Sequence, residues 1–355
     1  MRIPVINSQN QPLMPTKPSR ARKWIRDGKA IDKFNDLGQF YVQLIDEPSG
    51  TQTQPIVIGI DPGKLYSGIG VQSSKVTLFT AHLVLPFQKV RDRMDQRAMM
   101  RRTRRGRRIN RKIAFSKRAH RQKRFSNRRG SKLPPSIRAN RQLEIRVVSE
   151  LCKVLPITGI VYEIVEAKGS KSFSPVMVGQ KWMLTQLVKF APVETCKGWE
   201  TSQLRTQLGL QKQKHQKGDP IPATHAVDGI ALACSAFIQY ESFHTARSDG
   251  HHWIGMVTVT EAPFKAIRRP PISRRQLHLM VPAKGGIRRK YGGTTTPFEV
   301  RKGDLVRYQN VVGFCSGYTG SSVSVSDSAW KRLGRFSNKK VGLIRRSTGL
   351  IAVGG

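Results

Sequence analysis

Three acidic residues and one histidine stand out for where they fall. Asp61 ends the apolar run Pro55-Ile56-Val57-Ile58-Gly59-Ile60 and is followed by Pro62-Gly63. Glu163 lies late in a second apolar run, Ile157–Val165, within Ile160-Val161-Tyr162-Glu163-Ile164-Val165. His225 and Asp228 stand three apart in Thr224-His225-Ala226-Val227-Asp228-Gly229-Ile230, hence on one face if that stretch is helical. The chain has only 22 Asp and Glu in 355 residues, so acids placed inside apolar elements carry weight. Together they could cleave a phosphodiester with two divalent ions. Carboxylate oxygens suit Mg²⁺, paired ions about 4 Å apart stabilise the attacking and leaving oxygens, and a histidine can take the proton of the attacking water. Each residue alone has a plainer reading. Asp61 before Pro-Gly could be a turn residue, and Glu163 could close a strand, with Glu166 an equal rival. His225 could have no chemical task, and Asp228 could serve the helix dipole. His215, ten residues before His225, is a rival base, but its polar Lys/Gln surroundings read as a solvated residue or an RNA contact.

These residues need elements to position them. The run 55–60 closed by Pro and Gly reads as a buried strand ending in a turn. Strands over Ser67–Val71 and Val76–Leu85 would continue it as an antiparallel meander. A helix near Asn140–Leu155 then precedes the strand Ile157–Val165. Residues 176–190 read as helical, 191–210 as mixed, and Pro222–Tyr240 as a strongly apolar helix. That order is that of an RNase H-like α/β sheet flanked by helices. Ahead of it lies a small basic segment with a helix from Ser19 to Ala30, Ser19 as its N-cap and Gly28 near its end. A short strand over 40–45 and a polar linker from Glu47 to Pro55 follow. Beyond about 250, Gly, Thr, Ser and Val dominate. Short strands over Gly255–Thr260, Glu299–Tyr308, Ser322–Val325 and Val341–Ile344 suggest a small barrel or irregular β domain.

Charge decides the partner. With 63 Lys and Arg, the chain carries +41. Self-repulsion of that size calls for a polyanion. No run of about 18 apolar residues exists and the N-terminus lacks a signal-peptide core, so nucleic acid is favoured over membrane. Residues 91–129 hold eighteen Lys and Arg against Asp92 and Asp95, a net of +16. They include Arg97, Arg101, Arg102, Arg104, Arg105, Arg107, Arg108, Arg111, Arg118, Arg121 and Arg124. Proline is absent, so one helix of about 60 Å is expected there, ordered by phosphates. Arg20, Arg22, Arg26 and Arg205 are further candidates for nucleic-acid contacts. Cys152, Cys196, Cys234 and Cys315 are widely spaced with no C-x-x-C pair, so neither structural zinc nor a disulfide framework is expected.

A resemblance joins these features. Gly59-Ile60-Asp61-Pro62-Gly63 with Gly68-Ile69-Gly70-Val71 resembles the first RuvC motif. Ile160-Val161-Tyr162-Glu163 is similar to the second, and His225-Ala226-Val227-Asp228 to the third. The basic run resembles the arginine-rich bridge helix of type II CRISPR effectors. Pro12-Leu13-Met14-Pro15, Ser19-Arg20-Ala21-Arg22 and Arg26-Asp27-Gly28-Lys29-Ala30 resemble the N-terminal segment of the transposon-encoded IscB and IsrB proteins. Arg205, Leu208-Gly209-Leu210 and Lys212 resemble their stretch before the third motif. Only about 60 residues separate Glu163 from His225, with no His-Asn-His pattern, which favours the HNH-lacking IsrB family.

The resemblance implies an N-terminal PLMP domain (1–52), RuvC part I (53–90), a bridge helix (91–130), RuvC part II (131–170) and part III (171–245). A C-terminal β-rich region (246–355) would contact RNA and a target-adjacent motif. It implies an RNA-guided DNA endonuclease that nicks the displaced strand. Asp61, Glu163 and Asp228 would hold two Mg²⁺ ions, with Mn²⁺ able to substitute, and His225 would act as base. The partners implied are a guide (omega) RNA and target double-stranded DNA, in a monomeric, cytoplasmic, nucleoid-associated ribonucleoprotein. An unguided RuvC-like resolvase or transposase, and a non-catalytic RNA-binding protein, are the alternatives.

Overall fold

The computed structural model describes residues 1–107, 112–117, 133–166, 174–271 and 298–354. In chain order the elements are β1 (Ile3–Ile6), β2 (Pro12–Thr16), α1 (Pro18–Arg26), β3 (Ala30–Phe34), β4 (Phe40–Leu44), β5 (Ile56–Asp61), β6 (Tyr66–Ser73) and β7 (Thr77–Val84). Then come α2 (Phe87–Arg107), α3 (Pro135–Cys152), β8 (Gly159–Ile164), α4 (Pro175–Leu187), β9 (Val193–Lys197), α5 (Gly198–Gln207) and α6 (Val227–Cys234). The chain continues through β10 (Ile238–His244), β11 (Asp249–Gly255), β12 (Phe264–Arg268), β13 (Leu305–Tyr308), β14 (Val311–Thr319), β15 (Ser322–Ser326), β16 (Arg332–Ser337), β17 (Gly342–Arg345) and β18 (Ile351–Gly354). Two compact units result: Met1–Lys33 with Tyr41–Phe264, and Phe34–Phe40 with Lys265–Gly355.

The first unit is built on five strands in the order β7-β6-β5-β8-β9. β5, β6 and β7 form the expected antiparallel meander, while β8 lies parallel to β5 and β9 parallel to β8. Every residue of β5 is buried, which is why it reads as a continuous apolar run rather than an alternating one. Helix α6 lies directly on β5 and β6, and glycines make that possible. A Cβ on Gly59 would sit 2.0 Å from the Gly229 carbonyl oxygen, and one on Gly70 would sit 2.4 Å from the Ile230 nitrogen. At Gly68 it would meet the His225 carbonyl oxygen at 1.7 Å. The helix and strand backbones therefore approach as only a seam of glycines permits.

Several expectations shift in detail. Helix α1 has Lys17, not Ser19, at its N-cap, because Pro18 already supplies the fixed φ of a first helical position. Gly28 does close it, at φ +68°. The apolar stretch 222–240 is not one helix. A π-turn over Pro222–Ala226 leads into α6, a 3₁₀ turn follows at Ser235–Phe237, and β10 starts at Ile238. The β-branched Ile238 and the aromatic residues after it favour extended backbone once the glycine-seated turn is complete. The basic helix begins at Phe87 and is continuous through Arg107, but residues 112–117 form a turn and a short 3₁₀ segment. One unbroken helix over 91–129 is thus excluded. Arg108, Arg111, Arg118, Arg121 and Arg124 lie outside the described residues.

Around the N-terminus β2-β1-β4-β3 form a small sheet. The second unit contains a five-stranded sheet, β16-β15-β14-β13-β17, closed on Val300, Val306, Cys315, Val323, Val325 and Val341. Its β12 and β18 pair antiparallel. The strand expected over Glu299–Tyr308 shortens to Leu305–Tyr308, since Gly303 and Asp304 turn the chain first. The segment 256–260 is not a strand, because β11 ends at Gly255 with φ +110°.

Candidate active site

Parallel pairing of β5 with β8 sets the first two acids side by side. Ile60 opposes Tyr162, so Asp61 and Glu163 follow together at the same end of the sheet. The glycine seam then delivers the third and fourth groups. His225 sits in the π-turn and Asp228 in the first turn of α6, with the His225 Nδ1 3.2 Å from Asp61 Oδ2. Glu163 lies against Gly198 at the start of α5, where a Cβ would be 3.4 Å from its Oε1. Helix α5 is fixed there because the Glu200 carboxylate accepts the Lys197 N–H at 2.5 Å.

Asp61 and Asp228 are buried and Glu163 half-buried, and the three share an anion-rich space. Burial, and then the Asp61 charge, push Glu163 up to about 7, while the Thr201 hydroxyl and Lys212 pull the other way. Burial and Asp61 likewise raise Asp228, against Lys212 and Arg205. Asp228 is 2% exposed. Arg205 Nη1 donates to its Oδ1 at 2.5 Å, and Lys212 Nζ donates to its Oδ2. Arg205 therefore stands inside the cluster rather than on an outward basic surface.

Among the described residues, no three His, Cys, Asp or Glu stand as a preformed metal-binding group. The donor chemistry nevertheless fits a hard divalent cation, because buried carboxylates that raise one another's protonation are relieved by positive charge between them. Asp61, Glu163 and Asp228 would hold it, and Asp228 would have to part from Lys212 to do so.

Other expected residues separate from this cluster. Glu166 is exposed and faces Lys197 at 3.8 Å. His215 is exposed on the loop after α5. Arg20, Arg22 and Arg26 are exposed on α1, around the buried Ala21 that anchors it. On α2, Arg102 is exposed and Arg97 half-buried, and Arg101, Arg104, Arg105 and Arg107 belong to the same helix.

Sequence reasoning missed the residues that support the site. His82 is fully buried, with Nδ1 2.9 Å from Thr224 Oγ1. Its ring centroid is 5.4 Å from that of His225, and the Tyr66 ring lies 5.6 Å from His225. Arg141 and Glu144 of α3 are buried beneath the Asp61 turn. The only sequence signal was two opposite charges at i, i+3 amid apolar residues, a pattern common on exposed helix faces too.

These features define a mixed α/β protein whose central sheet is consistent with an RNase H-like core and carries an acidic cluster at one end. The profile of the RRXRR protein family matches residues 3–181, half of the chain, and the chain belongs to that family. No curated protein matches it. Among solved structures, it is similar to Thermus thermophilus RuvC in complex with a Holliday junction substrate. There the identity is 14% and the TM-score 0.28, over 51% of this chain and 90% of that one. A second structure of Thermus thermophilus RuvC gives 13% identity and a TM-score of 0.27, over 50% of this chain and 90% of that one. Among the described residues, no helix is long and apolar enough to cross a membrane.

Proposed function

We propose that this chain is an RNA-guided DNA nickase of the IsrB type, a metal-dependent RuvC-like endonuclease. One observation carries the reading: Asp61, Glu163 and Asp228, distant in sequence, share one largely buried cluster beside His225 in a chain of net charge +41. Buried, mutually repelling carboxylates are costly for stability, and a divalent cation acting on a phosphodiester gives them a use.

Two divalent ions, when bound, would polarise the phosphodiester and stabilise its attacking and leaving oxygens. The chain's residues supply the rest. Asp61, at the end of a fully buried strand, holds a fixed position between Glu163 and His225. With its Nδ1–H donating to the Asp61 carboxylate, a neutral His225 keeps its lone pair on Nε2, the nitrogen that would take the proton of the attacking water. Arg205 and Lys212 neutralise Asp228 before loading and are then placed to meet the phosphate of the entering strand. The exposed arginines of α1 and α2 hold the guide RNA backbone, and base pairing with the guide selects the target beside a short adjacent motif. The sheet of the second unit, with basic side chains such as Arg335 and Arg345 on its strands, is the proposed reader of that motif.

Purification tests this directly. The full-length protein should carry a discrete RNA and nick one strand of a matching duplex in Mg²⁺, and Asp61→Ala should abolish nicking while RNA remains bound. Cleavage of branched DNA with no bound RNA would instead mark an unguided resolvase.

A further inference from the structure

A charged network lies beneath the acidic cluster, on α3. Arg141 is 1% exposed and Glu144 is 0% exposed, and they pair at 3.1 Å. Taking two charges out of water is costly, and an apolar pair of equal volume would hold the fold at least as well. What distinguishes this pair is where its remaining hydrogen bonds go. Arg141 Nη2 donates to the Gly63 carbonyl at 2.8 Å, and Nη1 donates to the Tyr162 hydroxyl at 2.9 Å. The Gly63 N–H donates to Ser67 Oγ at 3.1 Å, and the Ser67 hydroxyl donates to Glu144. Asn140, one residue earlier on the helix, donates to the Lys64 carbonyl at 2.8 Å. Both backbone groups of Gly63 and the carbonyl of Lys64 are thereby held from α3.

Gly63 is two residues from Asp61, and Tyr162 directly precedes Glu163. One rigid guanidinium thus grips the turn behind one acid and the strand beside the other. The turn has little freedom of its own, since a Cβ on Gly63 would come within 1.8 Å of the Tyr66 carbonyl oxygen. We propose that Arg141 is a positioning residue that sets the spacing of the Asp61 and Glu163 carboxylates and thereby their affinity for a divalent cation. This rests on reading those two acids as the cation-holding pair. Lysine carries the charge but lacks the planar fork, so it cannot make both bonds. Tyr162→Phe keeps the packing and severs only the link to β8.

The test is Mn²⁺ binding to the full-length protein, followed by EPR, with the metal-free thermal midpoint measured alongside. Wild type, Arg141→Lys, Tyr162→Phe and Asp61→Asn are compared. Groups that orient metal ligands typically matter about 10–100-fold in affinity. Tyr162→Phe should weaken Mn²⁺ binding towards the lower end of that range with a midpoint close to wild type. Arg141→Lys should weaken it further, and excess Mn²⁺ should restore occupancy in both. If Arg141→Lys gives no cooperative unfolding transition, Tyr162→Phe alone decides. A lowered midpoint with unchanged Mn²⁺ affinity in the folded variants overturns the proposal and leaves a purely structural ion pair. If Asp61→Asn itself binds Mn²⁺ as wild type does, the reading of the acidic pair fails instead.

Discussion

Glu163 and Glu166 are three residues apart, yet their surroundings give them opposite prospects. Glu163 shares its space with Asp61 and Asp228, whereas Glu166 is exposed and faces Lys197. Glu163→Ala should therefore abolish strand cleavage and Glu166→Ala should leave the rate near wild type, as read from single-turnover nicking. His225→Ala should slow nicking by about 10²–10⁴-fold, the usual contribution of a positioned base, with guide binding intact. An unaltered rate would pass that task to another group. Protonation offers an independent check. Folding raises Glu163 from its ordinary value of 4.5 to about 7. Between those values the folded state binds more protons than the unfolded state, so this group's contribution to stability falls as pH rises. The metal-free midpoint should decline across about pH 4.5–7 less steeply in Glu163→Gln than in wild type. Saturating Mg²⁺ should offset the decline, since a cation held by these acids would take the proton's place in relieving their repulsion.

At the scale of elements, the contact of α6 with β5 and β6 decides whether the site exists. A methyl group at Gly70 would meet the Ile230 backbone nitrogen at 2.4 Å, and backbone cannot yield as a side-chain tip can. Gly70→Ala should lower stability by at least the ~1–3 kcal/mol typical of overpacking. It should also lower the nicking rate in whatever fraction folds, because α6 carries Asp228. Gly159, on the neighbouring β8, provides the contrast: its Cβ would lie 3.7 Å from Val57 Cγ2, an ordinary contact. Gly159→Ala should stay within about 0.5 kcal/mol of wild type. Denaturant titration of the two variants separates a seam from ordinary strand glycines, and equal effects would remove the seam's special status.

At the scale of the whole molecule, charge sets the behaviour. With +41 overall and +16 between residues 91 and 129, the proposed function would couple folding to nucleic-acid binding through electrostatics. Replacing Arg101, Arg102, Arg104, Arg105, Arg107 and Arg108 with Gln keeps helix propensity while deleting six charges. The slope of log K against log salt for the guide should then fall by up to about 0.7–0.9 per lost phosphate contact. Cleavage in the RNA-bound fraction should persist, because the acidic cluster is untouched. Equal slopes for variant and wild type would mean that these arginines face solvent.

The strands β5, β6, β7 and β8 were legible in the sequence within a residue or two, most sharply β5, a fully buried apolar run cut off by Pro62-Gly63. The acids were legible for the same reason: a carboxylate in an apolar run breaks the local pattern. Net charge required no structure at all. What the sequence could not determine depends on neighbours distant in the chain. The 222–240 run scans as one helix, and only the sheet beneath it sets where the turn, α6 and β10 begin and end. Arg205 scans as one more surface cation, and only folding turns it inward to Asp228. Arg141 and Glu144 look like an ordinary helical charge pair until Gly63, Ser67 and Tyr162 are packed onto them. Burial and partner choice for a charge are fixed by contacts that local sequence does not encode, so tertiary structure alone decided which charges face the solvent and which build the site.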